Sequence, residues 1–322
     1  MTKVLLISSK TDLTTDFIVT KLTESDISFY RFNTEELGVS VSIFIDFDEE
    51  EYIIFDKVLS LEIDLKGFSA VYYRRPEIPK FDITNLSTGE KDFLRSELLY
   101  SLEGIYKLLQ NAYWISPLYS IREAENKIFQ LELAKSIGFQ IPPSLVTTIP
   151  KKAEDFYNKH DRNCIIKPIK TGLIEDANEP KVVFTSKLQD FIQNSNRIQS
   201  FPTYFQKVIE KKADVRVTVV GDAIFPALIH SQEVVESQID WRKSEIPLKY
   251  SRVDLPIDLR NMCILLLKAL KLRFGAIDFI LDKNGEYIFL EINPNGQWAW
   301  IERQLEYDIS GTIVKLLVNE NF

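Results

Sequence analysis

Cysteine is nearly missing from this chain: its 322 residues include only Cys164 and Cys263. Both stand in apolar runs, NCIIKP and NMCILLL, where a thiol behaves as a small buried hydrophobe. A disulfide-stapled fold is excluded, and a reducing compartment fits. Glycine is sparse at 11 residues, and the turn after the first strand-like run reads ISSKTDLTT. It holds no GxGxxG, so a nicotinamide-binding reading loses its main support. The opening MTKVLLISSK has an apolar run too short for a signal-peptide core and no small-residue cleavage site. No segment stays apolar for the length a bilayer crossing needs. The expectation is a soluble, cytoplasmic protein without a membrane partner.

Positive charge is also in deficit, with 39 Lys and Arg against 47 Asp and Glu and a net charge of -8. Such a chain repels a polyphosphate backbone, so nucleic acid is not an expected partner, and any anion site must be a local basic cleft. What the chain does have is apolar patterning throughout, 45% hydrophobic and 12% aromatic, which predicts a folded protein of two or three packed lobes.

Lys3 to Ser8, an amphipathic stretch from Asp12 to Leu22, and Ile27 to Phe32 read as strand, helix, strand: a parallel α/β unit. Val41 to Phe47 and Tyr52 to Phe55 read as strands around the acidic turn DFDEEE, a solvated hairpin tip rather than a metal site. A strand from Ser69 to Tyr73 ends in Arg74 and Arg75, where open α/β sheets place ligands and where exposed arginines are also common. A helix over Thr88 to Gln110 follows, and the first lobe ends near Leu118. Ser120 and Glu123 form a capping-box pattern that predicts a helix running to Ile137 and stopped by Gly138. Strands then dominate, with a hairpin at Gly221-Asp222, a helix over Ile257 to Leu272, and a last hairpin, GAIDFILDKNGEYIFLEIN.

That last hairpin carries the chemistry. If Asn284-Gly285 forms a two-residue type I′ turn, Lys283 faces Glu286 and Asp278 falls directly opposite Glu291. Alternation puts Asn293 on the same face. Two carboxylates and an amide oxygen then share one patch, a hard donor set that suits Mg²⁺ held with phosphates; incidental acids on a surface hairpin are the competing reading. Lys167 ends a strand and Lys127 sits near a helix start, and neither is informative alone.

Taken in order, these features resemble the ATP-grasp carboxylate ligases, whose pattern is two lysines, an adenine hinge, a β-ribbon arginine and a carboxylate-x-asparagine. VYYRRP, ENKIFQLELAKSIGFQIP, TYFQKVIEKKADVRVTVVGD, IHSQ, DWR and FLEINPNGQWAWIE resemble one branch more closely, the graspetide synthetases that macrocyclise microviridin-type ribosomal peptides. The resemblance covers almost the whole chain. It implies an α/β ATP-grasp fold: a parallel-sheet pre-ATP-grasp lobe at 1–118, a central lid subdomain at 119–204, and a C-terminal subdomain with the metal site at 205–322.

By resemblance, ATP and Mg²⁺ are the cofactors and a precursor peptide of leader plus core is the partner; a homodimer is left open. Lys127 and Lys167 would bind phosphate, and Asp278, Glu291 and Asn293 the metal. The hinge Gln206-Lys207-Val208-Ile209 would meet adenine, through backbone groups of Lys207 and Ile209, and Asp214 the ribose. Arg216 would act on the acyl phosphate and tetrahedral oxyanion; Asp214 and Arg216 share a strand face, so an ion pair between them competes. Arg242 of DWR is a further catalytic candidate, and Arg74, Arg75 and Asn295 are weaker substrate candidates. His230 reads as packed or surface rather than as a base, and Trp298 and Trp300 as cleft wall or core. The loop Thr171 to Lys181 has only Gly172 where many relatives carry a glycine-rich phosphate cover. Rival readings are a ligase adding free amino acids to a protein or peptide tail, a nucleotide-binding regulator without catalysis, and a peptide-docking adaptor.

Overall fold

The computed structural model describes residues 3–79, 86–170, 172–174, 181–188 and 197–319. The chain divides into two compact units, Met1–Leu118 with Asp308–Phe322, and Tyr119–Tyr307.

In the first unit, β1 (Lys3–Ser8), α1 (Leu13–Glu24) and β2 (Ser28–Asn33) form the expected parallel start. β3 (Val41–Asp46), β4 (Glu51–Asp56) and β5 (Leu61–Asp64) make a separate antiparallel sheet. The chain then enters β6 (Ala70–Tyr73), α2 (Thr88–Leu108) and β7 (Tyr113–Trp114). The parallel sheet has the order β2-β1-β6-β7. Its faces bury Leu5, Ile7, Phe32, Val71 and Ile105. The acidic turn is solvated, with Asp46 Oδ1 accepting from the Asp48 and Glu49 amides. The capping box that does form is at α2, where Ser87 and Glu90 exchange bonds.

The second unit opens with α3 (Leu118–Ala124) and α4 (Lys127–Ile137), which replace the single helix expected from Ser120. The break is at Asn126, whose side-chain oxygen accepts from the Ile128 and Phe129 amides and so starts a new helix. Gly138, at φ 109°, ends α4 as expected. Next come β8 (Ser144–Thr147), α5 (Pro150–Lys159) and β9 (Cys164–Lys167), then three two-residue strands, β10 (Leu173–Ile174), β11 (Lys181–Val182) and β12 (Ser186–Lys187). β10 and β11 pair with each other, while β8, β9 and β12 join β13 (Thr203–Lys207) in the antiparallel order β12-β9-β13-β8. A cut at 204/205 would therefore sever β13, which pairs through Lys207 with Cys164.

β14 (Lys211–Val220), β15 (Ala223–Ile229), β16 (Tyr250–Arg252), α6 (Ile257–Ala269), β17 (Phe274–Asp282), β18 (Tyr287–Asn293) and α7 (Ala299–Leu305) complete this unit around the sheet β16-β15-β14-β17-β18. The C-terminal helix Ile309–Asn319 packs on α1 and β6 and so falls within the first compact unit, although the expected C-terminal subdomain of 205–322 includes it. The two cysteines are buried, and burial pushes the Cys263 thiol up to about 12.

The β17–β18 hairpin reaches the expected register by another route. Asp282 pairs with Glu286 around Lys283, Asn284 and Gly285, a loop one residue longer than expected, with Gly285 at φ 93°. A bulge at Leu290 then restores the offset, so Asp278 does face Glu291. In a regular strand Phe289 and Glu291 would share a face. The bulge separates them, sending Phe289 into the aromatic core with Phe139 and Phe279 while Glu291 joins the polar face.

Gln130 ties α4 to this strand. Its amide donates to the Ala124 and Ile292 carbonyls and accepts from the Ile292 amide, all buried. Gln130→Leu should cost about 1–3 kcal/mol, because it leaves two backbone groups of Ile292 without partners. Urea unfolding checks this; a variant as stable as wild type would remove Gln130 from the account.

Candidate active site

β14, β17 and β18 are adjacent, and their polar residues fall on one face. Arg216 stands opposite Asp278, and Asp278 opposite Glu291. Arg216 grips Asp278 with two bonds, Nε to Oδ1 at 2.8 Å and Nη2 to Oδ2 at 2.6 Å. The ion pair weighed for Arg216 therefore exists, but with Asp278. Asp214 pairs instead with Lys211 at 2.5 Å, and burial holds its carboxyl above the ordinary range.

Glu291 is the electrostatic centre. Lys127 Nζ lies 3.1 Å from Oε2 and Arg242 Nη1 lies 3.6 Å from Oε1. Burial alone would raise the Glu291 carboxyl, but the charges of Lys167, Lys127 and Arg242 outweigh it and hold the group at about 2. Burial lowers Lys167, with Glu291 opposing and Lys127 reinforcing the shift. A lysine at the first position of a helix faces the positive end of the macrodipole and does nothing for the helix itself. Lys127 is stabilised there by Glu291 and by the Pro168 carbonyl, 3.2 Å away.

Arg242 is held by Asp240, with Nε to Oδ1 at 2.8 Å and Nη2 to Oδ2 at 2.9 Å. Burial would raise the Asp240 carboxyl, but the bonds to Arg242 outweigh it and lower the group. Asp240, Trp241 and Gln130 are the residues that sequence reasoning passed over. A glutamine on the buried stripe of α4 beside Ala134, and the acid and base flanking one tryptophan in DWR, were the available signals.

The hinge has a specific opening. Gln206 is buried, donating to Ser144 and Tyr204. The Lys207 amide donates to the Pro143 carbonyl, and the Val208 amide to Asn163. A hydrogen-bonded antiparallel pair normally exchanges two bonds, but Pro143 has no N–H to return. Pro143 therefore returns no bond to the Lys207 carbonyl at the end of β13.

Asn293 Oδ1 accepts from the Asn295 amide, which aligns the NPNG turn. Arg74 and Arg75 belong to the first unit; Arg74 is buried in a 2.8 Å ion pair with Asp12, a structural partner, and Arg75 is exposed at φ 42°. His230 meets Ser251 at 3.1 Å and takes the packed reading. Trp298 is fully buried core, whereas Trp300 is half-buried beside Trp241. Most of the loop Thr171 to Lys181 lies outside the described residues.

Among the described residues no group of three His, Cys, Asp or Glu side chains is arranged for a metal, so a cation would rely on two carboxylates and an amide. That donor set, all hard oxygen, fits Mg²⁺. Four cations around it, Lys127, Lys167, Arg216 and Arg242, fit a polyanion.

Residues 124–317 match the RimK-like ATP-grasp domain and residues 3–122 the MvdD pre-ATP grasp domain. The chain belongs to the RimK-like ATP-grasp family and is an ATP-dependent ligase. It is similar to a RiPP-associated ATP-grasp ligase of Chryseobacterium gregarium solved with ADP and a leader and core peptide, at 29% identity and TM-score 0.91, covering 99% of this chain and 97% of that one. It is similar to macrocyclase MdnC of Microcystis aeruginosa bound with precursor peptide MdnA, at 27% identity and TM-score 0.87, covering 99% and 100%. Macrocyclase MdnB of the same organism matches at 28% identity and TM-score 0.84, covering 99% of each chain. The resemblance to graspetide synthetases is borne out by these matches. No match was found among curated protein sequences. Among the described residues no helix is long and apolar enough to cross a membrane.

Proposed function

We propose that the chain macrocyclises a ribosomally made precursor peptide, activating Asp or Glu side chains of its core as acyl phosphates for attack by Ser or Thr hydroxyls or Lys amines. The observation that carries this is the convergence of Lys127, Lys167, Arg216 and Arg242 on Asp278 and Glu291 within an ATP-grasp domain. The peptide-bound relatives support the choice of substrate.

A carboxylate resists attack because attack adds charge to an anion. Transfer of a phosphoryl group to it supplies a leaving group, and this demands little covalent help: reactants held in line, and cations against the moving charge. Lys127 and Lys167 take the phosphates. Asp278, Glu291 and Asn293 would hold Mg²⁺, which screens phosphate charge when bound. The Lys207 carbonyl and Ile209 amide meet adenine, and Asp214 the ribose. Arg216, an always-charged fork, faces the oxyanion of the attacked carbonyl, while Arg242, tied to Asp240, orients the carboxylate to be activated. A tethered nucleophile then reacts at a high effective concentration.

Phosphate release from MgATP tests the coupling. Full-length precursor should stimulate it strongly and its core alone poorly; stimulation by free amino acids instead would move the chain to the tail-adding ligases.

A further inference from the structure

The DWR tripeptide does more than present Arg242. Asp240 and Arg242 clasp each other across the residue between them, through the Arg242 backbone amide (3.2 Å) as well as its guanidinium. This clasp fixes the short turn at Trp241–Lys243 and with it the direction of the indole. The indole lies on Arg216, its ring centroid 5.2 Å from the guanidinium carbon. Behind it stand Trp300 (5.8 Å from Trp241) and Tyr250 (4.6 Å from Trp300), so the indole is itself backed.

Arg216 is therefore held in two directions. The bidentate bond to Asp278 fixes its edge, and the indole fixes its face. Nε and one Nη2 hydrogen serve Asp278, which leaves the Nη1 donors to meet a substrate oxygen. A bidentate pair alone allows the guanidinium to swing about the carboxylate; a π-face pressed on the plane removes that freedom and excludes water from one side. Donors aimed at developing charge act best when placed before it develops.

We propose that Trp241, backed by Trp300 and Tyr250, is a positioning residue that sets the Arg216 guanidinium for the oxyanion. The role rests on the ligase reading above, but the contact itself is separable from it.

Two measurements test it. Intrinsic fluorescence is compared for wild type, Trp241→Phe, Arg216→Met and the double variant. Loss of Arg216 should change the emission of the wild-type background and leave that of Trp241→Phe unchanged; equal changes in both backgrounds would overturn the contact. This readout needs no substrate, so it decides the contact even if no peptide supports turnover and the ligase reading falls. Turnover is then followed as ADP formation from MgATP with the peptide that stimulates the wild-type enzyme. Trp241→Ala should lower kcat about tenfold, with KM for ATP moving less than about twofold, and Trp241→Phe should recover most of the loss. Adding Trp241→Ala to Arg216→Ala should slow the enzyme no further. Effects that multiply, or a rise in KM with kcat intact, would make Trp241 a pocket wall and overturn the proposal.

Discussion

Arg216→Ala should lower kcat by about 10²–10³ while leaving ATP affinity within a few-fold, the signature of a group that meets charge mainly in the transition state. The geometry adds a second consequence. Asp278 is 7% exposed and takes both its short bonds from Arg216, so alanine leaves a buried carboxylate without its cation. Breaking such a pair from one side costs about 3–5 kcal/mol of stability. Activity and folding must therefore be read apart, by steady-state kinetics beside urea unfolding. Arg216→Lys separates them, since it keeps the charge and loses the fork. It should remain folded and still fall well short of wild-type kcat. Full activity in Arg216→Lys, or a loss confined to KM for ATP, would make Arg216 a binding residue.

Glu291→Gln should abolish turnover at ordinary Mg²⁺ concentrations. The amide preserves shape but removes the charge that balances Lys127, Lys167 and Arg242, and one of the two carboxylates proposed for the metal. The pH dependence has a definite sign. Glu291 is held at about 2, below its ordinary 4.5, so the stability it contributes is fully present above about pH 4.5 and is lost as pH falls toward 2. Urea unfolding from pH 5 downward, in EDTA so that no metal contributes, should give a shallower acid dependence in Glu291→Gln than in wild type. Wild-type turnover in this variant would contradict its place in the metal set.

The site was legible where the backbone period alone decides. Alternation along FLEIN put Glu291 and Asn293 on one face, and an Asn-Gly turn set the pairing closely enough to bring in Asp278. That success hid two offsets that cancel, a longer loop and a bulge at Leu290, because a bulge answers to packing of Phe289 that no local pattern displays. The helix boundary failed for a different reason. Ser120 and Glu123 match a capping box, as Ser87 and Glu90 do, and only the second pair forms one; Asn126, a strong cap next to Lys127, was the better local signal. Partner choice was the least legible. Asp214 and Arg216 share a face, yet each bonds elsewhere: Arg216 to its cross-strand neighbour Asp278, and Asp214 to Lys211 on its own strand, next to the irregularity between Lys211 and Ala213. The C-terminal helix joins the first unit through contacts some three hundred residues apart in the chain, which sequence order does not reveal.

Intact-mass spectrometry of the precursor peptide, with fragmentation to locate the linkages, bears most directly on the central claim. Incubated with the enzyme, ATP and Mg²⁺, the peptide should lose one water for each crosslink between an acidic side chain and a hydroxyl or amine, with one ADP and one phosphate released per bond. A peptide that gains amino-acid masses, or one left unchanged while ATP stays intact, would contradict it.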